Sequence, residues 1–236
     1  SISSPDNPVN GLVEYNGEVV VLCQNGIYTL RLDQGRIVGP IETPANRGLY
    51  VKGAWCKVDN EIWFLAYDGI YSWSGNTVQK RSIVLDPLFN SENVNGMPPV
   101  DFTGNFGSLD AVSFFSMAQK GQEVFFNFLN TDGYFSMLRY HTVFDRWSLE
   151  EYYDPDSDVI VNRTQFSLPV CSVTAMCIDQ VAGRLVVGMT TSTSAPATLA
   201  EIAFLDYGEM DKSDSLSGRS IYYQADTKAL DMDLPI

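Results

Sequence analysis

The chain has 236 residues, of which 45% are hydrophobic and 19% charged, a balance that supplies a folded core and argues against a disordered chain. Its formal net charge of −14 argues against nucleic-acid binding by neutralisation of phosphates, sequence-specific binding included, although an acidic surface would suit a channel through which DNA passes. No stretch approaches the roughly 20 apolar residues of a membrane helix, and residues 1–10 lack the basic and apolar regions of a signal peptide.

An internal repeat organises the chain. Residues 18–30 read EVVVLCQNGIYTL, and residues 61–73, which begin 43 residues later, read EIWFLAYDGIYSW. A third copy begins at Glu123 and a weaker fourth at Gly183-Arg184, with less regular spacings of 62 and 61 residues. The shortest of these spacings is typical of one blade of a β-propeller.

Glycine-containing turns separate the predicted strands of each copy. Asn25-Gly26, Asp68-Gly69 and Asp132-Gly133 are flanked by β-branched and aromatic runs, and we expect them to supply the positive φ angles of tight hairpins. Gln34-Gly35 and Gly75-Asn76 form the next turn of the first two copies. Each copy therefore predicts a four-stranded meander.

The predicted fold is all-β, a β-propeller-like array of four-stranded antiparallel meander blades, with a β-sandwich as the alternative. We expect residues 1–236 to form one domain or most of one. Long inter-blade loops at 85–109 and 150–168 are the expected sites of subunit or partner contact, unless they are neutral insertions. The apolar stretch at 221–231 begins as a strand without a closing element after it, so we expect the natural polypeptide to be longer.

No pattern of residues predicts catalysis. His141 is the single histidine and falls at the end of a predicted strand, and no nucleophile elbow, P-loop or dinucleotide motif is present. The paired acids Asp68 and Asp132 occupy matching turns of the repeat, which favours a role in turn formation. Residues 154–158 resemble a calcium loop, but its twelfth position is Gln165 and a solvated acidic turn fits better. We therefore predict a protein that is not an enzyme, with no catalytic, cofactor or metal site.

The cysteines and the aromatic residues are predicted to pack. Cys23, Cys56 and Cys177 lie in apolar strands and are interpreted as buried free thiols, while Cys171 lies too far from Cys177 for a metal knuckle. The triplet at 162–164 fits a glycosylation sequon, a frequent chance pattern. Repeated aromatic residues could line a sugar pocket, but packing between sheets requires the same residues; they are Tyr28, Tyr71, Tyr134, Trp63, Trp73 and Trp147.

Short sequence motifs of the repeat resemble those of a known family. Residues 69–76 (GIYSWSGN), and Arg139-Tyr140 followed by residues 144–148 (FDRWS), resemble blade motifs in propeller domains of tailed-bacteriophage structural proteins. Residues 227–231 (TKALD) resemble the segment that leaves the propeller in tail hub or nozzle proteins. These short motifs recur in unrelated propellers as well.

The resemblance implies a non-enzymatic component of the virion, a tail hub, nozzle or head-to-tail connector that forms a homo-oligomer around the DNA channel. Its partners would be other virion structural proteins, and it would assemble in the host cytoplasm without cofactors. A carbohydrate- or protein-binding β-propeller module is the alternative. A secreted hydrolase ranks third, because no nucleophile is paired with a base.

Overall fold

The computed structural model describes residues 4–94, 96–106, 109–150, 153–154, 159–160, 172–181, 183–192 and 198–205. Within these residues the chain is all-β, and its one α-helix, α1 (Asp86–Phe89), has four residues. The chain forms two compact units, one that ends at Asn90 and one that begins at Ser91. This division falls inside the predicted loop at 85–109; the prediction of a single domain over residues 1–236 stays a prediction.

The first unit contains two four-stranded antiparallel meanders, each with its strands in sequence order. Sheet A consists of β1 (Val9–Tyr15), β2 (Glu18–Cys23), β3 (Ile27–Asp33) and β4 (Arg36–Glu42). Sheet B consists of β5 (Trp55–Val58), β6 (Glu61–Ala66), β7 (Gly69–Trp73) and β8 (Val78–Lys80).

A shared core joins sheet A to sheet B. Val13 and Val20 are paired across β1 and β2, so they lie on the same face of sheet A, together with Leu22 and Ile27. They form one hydrophobic cluster with the face of sheet B that carries Ile62, Phe64, Ala66, Tyr71 and Trp73. The rings of Tyr15 and Trp73, 5.0 Å apart, extend this contact to the end of the sheets.

The two sheets differ in how their remaining faces are covered. All five residues of β7 are buried, and so are Trp63 and Leu65 on the second face of β6. Both faces of the two central strands of sheet B are therefore buried, which explains their continuous apolar runs. On the second face of sheet A, Val21 is buried, but Leu12 and Ile37 are largely exposed.

The second unit contains sheet C, a meander whose core is aromatic. Phe115 lies edge-on to Phe126 and Phe128, with ring centroids 6.0 and 6.5 Å away, and Phe126 stacks on Phe128 at 5.2 Å. All three phenylalanines are at most 2% exposed, so the aromatic runs of this copy build its core. The strands are β11 (Ser116–Lys120), β12 (Glu123–Leu129), β13 (Phe135–His141) and β14 (Arg146–Glu150).

The other strands of the second unit form smaller sheets. The fourth repeat copy contributes a three-stranded meander, sheet D, made of β17 (Ser172–Asp179), β18 (Arg184–Ser192) and β19 (Thr198–Leu205). Two-residue strands pair as β9 (Asn105–Phe106) with β10 (Leu109–Asp110), and as β15 (Tyr153–Asp154) with β16 (Val159–Ile160). The predicted strand at 221–231 lies outside the described residues.

The predicted turns are confirmed with one exception. Gly69 and Gly133 have φ values of +145° and +79°, and Gln34-Gly35 has positive φ at both residues. The prediction for Asn25-Gly26 is wrong, since neither residue has positive φ. The N-terminal segment shapes this turn instead: the Asn7 side chain accepts a hydrogen bond from the Asn25 amide at 2.8 Å.

Among the described residues, no helix has the length and apolar character that crossing a membrane requires.

Candidate binding cleft

A cleft of about 280 Å³ opens at one end of sheet C, where the β12–β13 hairpin meets a segment of the predicted loop at 85–109. The hairpin contributes residues between Asn130 and Ser136, and β14 contributes Leu149. Among the described residues, the lining consists of Gly96, Met97, Pro98, Asn130, Asp132, Tyr134, Ser136 and Leu149.

Backbone hydrogen bonds fix the loop segment against the hairpin. The Thr131 amide donates to the Pro99 carbonyl at 2.9 Å, and the Asp101 amide donates to the Leu129 carbonyl at 2.9 Å. The buried Asp101 carboxylate then accepts hydrogen bonds from the Thr103 and Gly104 amides, which caps the turn that follows. Both walls of the cleft are therefore parts of one hydrogen-bonded framework.

The Asn130 side chain shapes the hairpin turn through hydrogen bonds at both its oxygen and its nitrogen. Its side-chain oxygen accepts hydrogen bonds from the Asp132 and Tyr134 amides at 3.1 and 3.0 Å, and its side-chain nitrogen donates to Ser136 Oγ at 3.1 Å. Asn130 is 3% exposed, so these contacts are shielded from water. The result is a rigid turn that directs the neighbouring side chains outward.

Asp132 and Tyr134 are the polar side chains that the cleft offers to a ligand. In the described part of the chain neither side chain has a hydrogen bond or an ion pair, and Tyr134 is 37% exposed. Among the described residues that line the cleft there is no lysine, arginine or histidine. The carboxylate accepts hydrogen bonds and attracts cations, and the phenol ring offers an apolar face with a polar edge.

The other aspartate of the predicted acidic pair is occupied inside the protein. Arg47 binds the Asp68 carboxylate at 3.2 Å, and the Tyr71 hydroxyl donates to it at 3.0 Å. Burial, reinforced by this contact with the carboxylate, raises the pKa of Tyr71 to about 12. Asp68 and Asp132 belong to different compact units, and Asp68 has a structural role.

The predicted aromatic and histidine residues separate into packed and exposed groups. Tyr71, Trp63, Trp73 and Trp147 are buried and Tyr28 is partly buried, whereas Tyr134 opens to the cleft. His141 ends β13, where its ring lies 4.4 Å from Phe144 and its Nδ1 accepts a hydrogen bond from the Val143 amide. These contacts give His141 a place in the turn between β13 and β14.

The cysteine prediction is correct for two residues and wrong for the third. Cys23 and Cys56 are buried thiols outside any disulfide, and burial raises the pKa of both. Cys177 is a thiol on β17 but is exposed, because it lies on the open face of that strand, next to the buried Met176. Cys171 and the sequon at 162–164 lie outside the described residues.

The predicted calcium-like turn is only partly described. Tyr153–Asp154 pairs with Val159–Ile160, and residues 155–158 between them lie outside the described part. Where the structure is described, it contains no group of three or more His, Cys, Asp or Glu side chains placed to hold a metal ion.

An ion pair recurs in the three four-stranded sheets, and the sequence pattern does not predict it. The glutamate that opens the second strand of sheets A, B and C binds an arginine: Glu18 binds Arg31, Glu61 binds Arg81 at 2.8 Å, and Glu123 binds Arg139 at 3.0 Å. The recurrent glutamate was visible in the sequence. Its partner was not, because the arginine follows 13, 20 or 16 residues later.

Comparison with known proteins defines no family for this chain. No protein-family model matches the sequence, and no curated protein matches it. Among solved structures, the extracellular domain of the putative one component system BT4673 from B. thetaiotaomicron superimposes with a TM-score of 0.40 and 11% identity, over 85% of this chain and 22% of that one. The extracellular domain described as the putative hybrid two component system BT4673 gives 0.39 and 12%, over 83% and 27%. The chain thus spans about a quarter of the length of these structures.

Proposed function

We propose that the chain is a non-enzymatic structural component of a bacteriophage virion, in which its sheets form blades of a β-propeller-like domain that oligomerises around the DNA channel. The tail hub or nozzle, or the head-to-tail connector, is the proposed location. Three four-stranded antiparallel meanders, each with its strands in sequence order and each containing one repeat copy, support the blade arrangement.

The motifs that carry the family resemblance occupy packing positions in these sheets. Residues 69–73 form β7, whose side chains are all buried. In sheet C, Tyr140 donates a hydrogen bond to Asp145, and its ring lies 5.0 Å from that of Trp147. Residues that fill the same structural positions in successive sheets are the expected signature of a blade sequence.

The observation that carries the proposal of assembly is the open apolar face of sheet A. Leu12, Val19 and Ile37 lie on this face by strand pairing and are 60%, 42% and 72% exposed. The opposite face of the same sheet is covered by sheet B. We infer that a second copy of the chain covers the open face, because exposed apolar patches mark interaction surfaces.

The net charge of −14 agrees with this role. A ring that encloses DNA must let the duplex pass, and an acidic surface prevents the counterion-release binding that basic surfaces produce.

Light scattering and electron microscopy on the purified chain test the proposal. We expect a defined oligomer with a mass several times 26.2 kDa, visible as a ring. A stable monomer at every concentration tested would refute the proposed ring.

The cleft on sheet C supports a second candidate, a carbohydrate- or protein-binding module. The Asp132 and Tyr134 backbone amides are held by Asn130, and their side chains have no hydrogen-bond or ion-pair partner within the described structure. Rigid, unpaired polar groups beside an apolar wall are typical of ligand sites.

A further inference from the structure

We propose that the cleft on sheet C binds an arginine side chain presented by a partner protein, with Asp132 as its carboxylate partner and Tyr134 as its aromatic contact. This inference rests on the binding-module proposal and names the chemistry of the ligand.

The equivalent turn of sheet B binds an arginine of the same chain. Asp68 and Asp132 precede the turn glycine at the same position of the repeat. The Arg47 guanidinium donates hydrogen bonds to both carboxylate oxygens of Asp68. Its Nε lies 3.2 Å from Oδ1 and 3.3 Å from Oδ2, and its Nη2 lies 3.2 Å from Oδ2. The same guanidinium lies 5.0 Å from the centroid of the Tyr67 ring. The chain thus contains a complete arginine site built on this turn.

In sheet C the carboxylate is present and the arginine is not. In the part of the chain that the structure describes, Asp132 has no ion pair and the cleft is lined by no lysine, arginine or histidine. An aromatic side chain is also present, although at a different position: Tyr134 directly follows the turn glycine, whereas Tyr67 precedes Asp68, and Tyr134 is exposed. The site therefore has two of the three groups found around Asp68, and an arginine from another molecule would supply the third.

The charge of the cleft selects the sign of the ligand. Asp132 is the one charged residue among the described residues of the lining, and the whole chain carries a formal charge of −14. Anionic ligands would meet an unpaired carboxylate with no cation to compensate it, whereas a cation is attracted both locally and from a distance.

The shape of the cleft suits a long side chain. Met97, Pro98 and Leu149 provide an apolar wall for the methylene stem, and a volume of about 280 Å³ accommodates one such side chain. The planar guanidinium can donate two hydrogen bonds to the carboxylate and stack on the phenol ring, which an ammonium group cannot do equally well.

The test is a titration of the chain with three peptides, Ac-Gly-Arg-Gly-NH2, its lysine analogue and its glutamine analogue, followed by NMR chemical shifts. We expect the arginine peptide to bind more tightly than the lysine peptide, and the glutamine peptide at least tenfold more weakly than the arginine peptide. The Asp132→Asn variant should lose at least tenfold in affinity and keep its fold, because the carboxylate makes no contact within the described structure. Asp33→Asn removes an equal charge from an exposed site on sheet A and should leave affinity unchanged.

The outcomes that contradict the inference are distinct. Equal binding of the arginine and glutamine peptides, or equal losses in Asp132→Asn and Asp33→Asn, would overturn it. A parallel titration with maltotetraose and cellotetraose separates it from the function on which it rests. Sugar binding without arginine binding would overturn the inference and keep the binding module, and failure of all probes would overturn both.

Discussion

At the scale of single residues, the glutamate–arginine pairs of sheets A, B and C are buried to different degrees. Arg31 on sheet A is 62% exposed, so water screens its contact with Glu18. Arg139 on sheet C is 14% exposed and lies between Glu123 and Glu150, the latter with a fully buried side chain. The same repeat position therefore carries a solvated pair in one sheet and a buried network in another.

Replacement of Arg139 by methionine should destabilise the protein strongly. Arg139 Nε lies 2.6 Å from the Glu150 carboxylate, and without the arginine that buried charge would lose its cationic partner. Removing one member of a buried ion pair lowers the free energy of unfolding by about 3–5 kcal/mol, and a fall in the urea unfolding midpoint would measure this loss. Arg31→Met is the matched control and should cost at most about 1 kcal/mol. Equal midpoints for the two variants would contradict this assignment.

At the scale of elements, the meanders depend on turns whose glycines are not equivalent. Gly35 has φ +75° and no atom within 4 Å of the position that a Cβ would occupy, whereas Gly69 has φ +145° in a crowded site. A Cβ at Gly69 would lie 2.5 Å from Ser82 Oγ, the atom that accepts a hydrogen bond from the Ile70 amide at 2.9 Å. The Gly69 turn thus joins the β6–β7 hairpin to the segment that leaves sheet B.

Gly69→Ala should therefore lower the melting temperature more than Gly35→Ala. The control variant has only the cost of a non-glycine residue at positive φ, about 1 kcal/mol. At Gly69, displacement of Ser82 adds steric cost and weakens a buried hydrogen bond, a further ~1–3 kcal/mol. Thermal unfolding followed by circular dichroism measures the melting temperatures of both variants. A larger fall in melting temperature for Gly35→Ala than for Gly69→Ala would contradict the steric explanation.

At the scale of the whole molecule, the proposed oligomer rests on the exposed apolar residues of the second face of sheet A. In sheet B, Trp63 and Trp73 are buried on opposite faces. In sheet A, the face that packs on sheet B is buried, whereas the second face buries Val21 and exposes Leu12, Val19 and Ile37.

Ile37→Glu should dissociate the proposed oligomer without unfolding the chain. Ile37 is 72% exposed, so the substitution costs the monomer little, but it places a charge in the proposed interface. Light scattering should show a mass reduced towards 26.2 kDa. Val143→Glu changes an equally prominent residue, 61% exposed in the second unit, and should leave the oligomer intact. An oligomer that survives Ile37→Glu would exclude this face as the interface.

The sequence by itself determined the all-β class, the copies that begin at Glu18, Glu61 and Glu123, and the turns at Gly69 and Gly133. These features follow from alternation of apolar residues and from turn chemistry, which act over a few neighbouring residues. It could not determine how distant residues meet, and the tertiary structure decided those points.

Two of these points concern side chains that the local pattern treats alike, and the third concerns the cleft. Asp68 and Asp132 occupy equivalent turns, yet within the described residues only Asp68 meets an arginine, because Arg47 comes from a connection 21 residues away. Cys56 and Cys177 both lie in apolar strands, yet one is buried and the other exposed. The cleft beside Asp132 exists because residues 96–98 pack against a hairpin more than thirty residues further along the chain. Contacts of this range depend on how the sheets and their connections pack, and the local pattern of residues does not encode that packing.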